Sequence, residues 1–122
     1  GTLVATNAAN TFTATQKFKG VNETYVSMTD GNIDLSAGTL FVRTVSANTS
    51  FTPINIPASG TLTTFMLELI NAGSYTISWF SNIKWPGGLA PSLTSTGKDV
   101  LGFYTYDGGS TWAGFVVARD IR

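Results

Sequence analysis

The stretch Val100-Leu101-Gly102-Phe103-Tyr104-Thr105-Tyr106-Asp107-Gly108-Gly109-Ser110-Thr111-Trp112-Ala113-Gly114-Phe115-Val116-Val117-Ala118 decides the fold class. β-Branched and aromatic residues crowd Val100 to Tyr106, a composition suited to a half-buried pleated surface. Asp107-Gly108-Gly109-Ser110 supplies a turn, because glycine takes positive φ without a Cβ clash. Thr111 to Ala118 returns, with Trp112, Gly114 and Val116 alternating against Ala113, Phe115 and Val117. Two such runs around a D-G-G turn predict a β-hairpin.

The same alternation recurs upstream. In Thr63 to Ile70, Phe65, Leu67 and Leu69 share one face, and Thr64, Met66, Glu68 and Ile70 the other. In Tyr75 to Phe80, Tyr75, Ile77 and Trp79 oppose Thr76, Ser78 and Phe80. Asn71-Ala72-Gly73-Ser74 between these runs predicts a second hairpin, with Asn and Gly providing positive φ. Leu40 to Val45 and Phe51 to Ile56 read as further strands. Phe12 to Phe18, Tyr25 to Met28 and Ile33 to Leu35 are weaker ones. Asp30-Gly31-Asn32, Ser36-Ala37-Gly38 and Ser59-Gly60 punctuate them. About eight or nine short strands at regular spacing imply a sandwich or barrel. The expected fold is all-β: a single-domain antiparallel β-sandwich, jelly-roll-like, with little or no helix. Residues 1–11, small and polar, read as an extended N-terminal arm, and residues 12–122 as the sandwich domain. No internal repeat or linker is visible.

Composition narrows the chemistry. The 122 residues hold seven Lys and Arg against seven Asp and Glu, with no His and no Cys. That length suits one core. Lack of Cys excludes a disulfide framework, a thiolate zinc site and a Cys nucleophile. Lack of His excludes the usual Ser-His-Asp arrangement and His-ligated metals. Zero net charge without a basic run argues against nucleic acid and anionic membranes. No run of about 18 apolar residues marks a membrane-spanning helix. No cofactor is expected. The sequence opens on Gly1 rather than Met, which reads as a residue left by cloning or as the cut edge of a longer protein.

Several motifs dissolve on inspection. Asp30-Gly31-Asn32-Ile33-Asp34 has the spacing that begins a calcium loop. Leu35 and Phe41 stand where that loop needs Gly and Glu, so a turn capped by Asp and Asn is the better reading. A glycosidase needs two carboxylates about 5–9 Å apart across a cleft. Among Glu23, Asp30, Asp34, Glu68, Asp99, Asp107 and Asp120 no pair is singled out, so the chain reads as non-enzymatic. The sequons Asn22-Glu23-Thr24 and Asn48-Thr49-Ser50 are incidental in a chain rich in Asn and Thr. The terminal charges Arg119, Asp120 and Arg122 would protect an edge strand.

The aromatic residues carry more information. Rings with a polar tip suit interfaces and sugar contacts, or fill cores. The alternation assigns Trp79 and Trp112 to the core or to a subunit contact. Trp85, in Lys84-Trp85-Pro86-Gly87-Gly88, is either an exposed platform or a plug closing one end of the fold. Trp85, Tyr104 and Tyr106 are the candidate binding residues for a glycan or partner.

Residues 71 to 118 carry a resemblance. Asn71-Ala72-Gly73-Ser74-Tyr75-Thr76-Ile77-Ser78-Trp79 is followed by Ile83-Lys84-Trp85-Pro86-Gly87-Gly88 and Ala90-Pro91-Ser92-Leu93-Thr94. Gly97-Lys98-Asp99-Val100-Leu101 and Phe103-Tyr104-Thr105-Tyr106-Asp107-Gly108-Gly109-Ser110-Thr111-Trp112 come next. This pattern resembles a β-rich module of tail fibre and other virion proteins of tailed bacteriophages. Asn10-Thr11-Phe12-Thr13-Ala14-Thr15-Gln16 is also similar to a segment of such proteins. The resemblance implies a non-enzymatic structural protein on the virion surface: a fibre, receptor-binding or decoration module, assembling as a homotrimer. Its partners would be other virion proteins and host-surface polysaccharide. The rival expectations are a monomeric carbohydrate-binding module of a secreted or surface protein, and a small depolymerase.

Overall fold

The computed structural model describes residues 4–122. Ten strands form: β1 Tyr25–Ser27, β2 Asn32–Asp34, β3 Leu40–Thr44, β4 Thr49–Ser50, β5 Thr52–Ile54, β6 Thr63–Ile70, β7 Ile77–Ser78, β8 Ile83–Lys84, β9 Lys98–Thr105 and β10 Trp112–Ile121. The only helical segments among the described residues are the 3₁₀ turns Ala72–Ser74 and Pro86–Gly88. The chain is all-β.

A mixed six-stranded sheet runs in the order β1-β3-β6-β9-β10-β8, and β2 with β5 and β4 with β7 make two short ladders. The expectation of antiparallel pairing is corrected. Only β6 with β9 and β9 with β10 are antiparallel; the other five pairings are parallel. The reason is the path of the chain. For β1–β3 and β3–β6, the chain leaves the large sheet, passes through β2 in the first case and through β4 and β5 in the second, and re-enters beside its previous strand in the same direction.

The hairpin over Val100 to Ala118 forms as read, with Phe103 opposite Gly114 and Gly102 opposite Phe115. Gly108 and Gly109 take φ of 69° and 85° in its turn. The register slips between Val116 and Ala118 and again before Ile121, and Asp120 there has φ 52°. Beyond Ala113, β10 has a strand on one side only, so Arg119 and Asp120 do lie along an open edge. Arg119 Nη2 donates to Ser92 O there at 2.6 Å.

The second expected hairpin does not form. Asn71 takes the left-handed conformation, φ 61°, but Gly73 serves close approach instead of positive φ. A Cβ at Gly73 would lie 2.1 Å from Leu93 O, and Gly73 N–H donates to Thr94 O at 3.0 Å. Asn71 Oδ1 accepts from Gly97 N–H at 3.0 Å. These bonds fasten the turn to the loop before β9, and β7 goes on to pair with β4. Phe12 to Phe18 is no strand either. Chain without strands, exposed throughout, runs from Val4 to Thr24, and the first three residues of the expected arm lie outside the described residues.

The core gathers where the large sheet meets the short ladders. Phe41, Phe65, Leu67, Leu69, Leu101, Phe103 and Trp112 come from the sheet, and Ile33 and Phe51 from the ladders and the chain between them. Phe65 stacks on Phe103 at 5.0 Å and meets the edge of Trp112 at 5.4 Å. Burying each such ring stabilises the fold by about 2–3 kcal/mol. In β6, Phe65, Leu67 and Leu69 are buried, as their alternation demands. No helix among the described residues is long and apolar enough to cross a membrane.

Candidate functional site

Strand registers align a row of residues across the outer face of the large sheet. Thr64 lies opposite Tyr104, Tyr104 opposite Ala113, and Ala113 opposite Lys84. The small Ala113 between Tyr104 and Lys84 leaves an open cleft of about 280 Å³. Tyr106, two residues beyond Tyr104, adds a second ring, and Asp107 and Thr111 complete the wall from the hairpin turn. Tyr106 is 66% exposed and Tyr104 38%, so both rings are accessible.

The turn that carries these groups is held from below. Thr105, 2% exposed, keeps its Oγ1 2.9 Å from Asp107 Oδ1 and 2.8 Å from Thr111 O, and accepts Gly109 N–H at 3.1 Å. Asp107 Oδ1 also accepts Thr111 N–H at 2.9 Å. That backbone bond, aided by the Thr105 hydroxyl, outweighs partial desolvation and holds the Asp107 carboxyl below its ordinary range. The cleft thus presents two phenol rings, an ammonium, a carboxylate and a hydroxyl. Such a set can stack on a sugar face and hydrogen-bond its hydroxyls.

Of the three residues singled out in the sequence, Tyr104 and Tyr106 share this cleft and Trp85 does not. Trp85 is half-buried, 5.3 Å from Trp79 and 5.6 Å from Phe103, on the core side of the sheet. Gly87 and Gly88, φ 66° and 76°, turn the chain just after it. A hydrophobic depression formed with Pro86, Leu89, Pro91, Phe115 and Val116 reaches its outer edge. Trp85 thus packs on the core with one edge open to that depression.

Sequence reading missed Lys84, Thr111 and Ala113, and took Asp107 for a turn residue alone. Thr111 follows the turn residues and could have been found by proximity. Lys84 could not, because the parallel pairing of β8 with β10 leaves no local signal.

The other polar constellations are structural. Asp30 Oδ1 accepts Asn32 N–H at 2.8 Å, the turn expected in place of a calcium loop. Asp34 Oδ1 accepts from Asn55 Nδ2, Ser36 N–H and Ser36 Oγ, and these bonds, that from Asn55 foremost, lower its pKa. Asn48 Oδ1 accepts Thr76 N–H at 2.9 Å. Asp99 is fully buried. Burial alone would raise its pKa, but bonds from Thr94 N–H, Asp120 N–H and the Thr94 hydroxyl, with Arg119 nearby, reverse that and lower it.

No family model, curated protein or solved structure matches the chain.

Proposed function

We propose that this chain is a non-enzymatic bacteriophage virion protein, a fibre, receptor-binding or decoration module that works as a homotrimer and contacts host-surface polysaccharide. The observation that carries the reading is the cleft of Tyr104, Tyr106, Lys84, Asp107 and Thr111. Its rings are exposed, yet they stand on a hairpin turn fixed by buried Thr105. A rigid support with accessible rings is what a glycan contact requires. The resemblance of residues 71 to 118 to phage virion modules supplies the biological setting. In this reading the large sheet and the two short ladders are the layers of a jelly-roll-like sandwich, and Trp85 contributes to its closure.

A second reading rests on the same cleft: a monomeric carbohydrate-binding module of a secreted or surface protein. A glycan array probed with the wild-type chain and with Tyr106→Ala tests the cleft. Binding by the wild type and its loss in the variant support both readings, and solution mass separates them. An array without any bound glycan leaves decoration of the particle as the role.

A further inference from the structure

The segment from Val4 to Thr24 leaves its apolar side chains uncovered. Val4, Phe12, Phe18 and Val21 are 59%, 50%, 67% and 68% exposed. The side-chain hydrogen bonds of this arm are local, joining Asn10 to Ala5 and Ala8, and Gln16 to Ala14. Among the described residues, the backbone hydrogen bond that ties the arm to the folded body lies at its end, where Thr39 N–H donates to Thr24 O at 3.2 Å. Ordering such an arm costs conformational entropy that its own chain does not offset.

The large sheet has a complementary want. On its outer face, Tyr25, Met66, Phe115 and Val117 are 64%, 43%, 37% and 53% exposed. Tyr25, Leu40, Met66, Gly102 and Phe115 form one continuous register row. Gly102 lets the ring of Phe115 lie down on the sheet, since a Cβ there would be 2.6 Å from Phe115 Cε2. Beside it opens a cleft of about 320 Å³ with Glu23 at its rim. Charge matches as well. Lys17 and Lys19 of the arm flank Phe18, and the charged residue lining the cleft is the acid Glu23.

We infer that the arm of one copy lies on the outer face of a second copy's large sheet over Met66 and Gly102, seating Phe12 or Phe18 in that cleft; Tyr104 walls both clefts, and Lys84 and Tyr106 stay open on its other side. Within one chain the arm leaves this face open, and exchange covers both surfaces at once. The inference rests on the homo-oligomer proposed above and names what holds it together. The intact chain is compared by light scattering with Phe12→Ser/Phe18→Ser and with Met66→Lys, circular dichroism reporting the fold. Neither change touches the core, so both variants keep the wild-type spectrum. The expected result is an oligomeric wild type and a fall to the single-chain mass in both variants. An oligomer that survives the arm substitutions overturns arm exchange and leaves the oligomer standing. One broken by the arm substitutions but not by Met66→Lys overturns this docking face. A monomeric wild type overturns the oligomer and the exchange together.

Discussion

Trp85 rests against the bare Cα of Gly114: a Cβ at that position would lie 2.9 Å from Trp85 Cζ3 and 3.0 Å from Phe103 Cε1. Ile83 packs beside the pair, its Cγ2 2.7 Å from where that Cβ would stand. Gly114→Ala forces Trp85, Ile83 and Phe103 to shift and is expected to destabilise by about 2 kcal/mol. Trp85→Ala empties the site and is expected to cost about 3–4 kcal/mol. Urea denaturation checks both. A Trp85→Ala variant of unchanged stability would show that the ring is a surface platform.

Tyr106 is the complementary case. Its ring is exposed at the cleft, so Tyr106→Ala should leave the melting temperature within about 2 °C of wild type, as a surface change does. Glycan affinity should fall roughly tenfold, the loss of about 1.4 kcal/mol of stacking and edge contact. Titration calorimetry on a glycan identified by array reads this directly. Equal affinities would remove the ring from the site.

Thr105 joins the core to the turn. Thr105→Val keeps the shape but leaves Gly109 N–H without its acceptor and Thr111 O without its donor. A loss of about 1–2 kcal/mol is expected, with weaker glycan binding because Tyr106 and Asp107 lose their fixed support. Stability unchanged in urea would mean that the turn is held by its glycines alone.

Asp99, a buried carboxylate, contributes to the acid limit of the fold. Its folded pKa lies below the ordinary 3.8, so the unfolded chain binds its proton first as pH falls. The carboxylate's contribution is complete above pH 3.8 and is lost as pH drops through the lower folded value. Thermal melts of the wild type should therefore fall away below about pH 4. Asp99→Asn, which turns an amide toward backbone donors, should cost about 2–3 kcal/mol at pH 7 and show a flatter acid limb. Parallel melting curves for the two proteins would rule this out.

The parts of the fold that alternation encodes were legible. β9, β10 and their turn follow from Val100 to Ala118, and the buried face of β6 follows from Phe65, Leu67 and Leu69. Pairing partners were not. Alternation says which way a side chain points, and nothing about whether β6 finds its neighbour across a turn or many residues earlier in β3. Asn71 to Ser74 looked like a hairpin turn because Gly73 is as useful for close approach as for positive φ. Phe12 to Phe18 looked like a strand because an uncovered arm carries the same alternation as a paired one. Tyr104 and Tyr106 could be grouped at spacing two on one strand face. Lys84 joined them only through a parallel contact between distant segments.

The measurement that bears most directly on the proposed function is the solution mass of the intact chain by light scattering on a size-exclusion column. A homotrimer of the 12.9 kDa chain elutes at about 39 kDa, and this is the predicted result. A mass of 12.9 kDa, unchanged over a range of concentrations, would contradict the trimeric virion module and leave the monomeric carbohydrate-binding reading in its place.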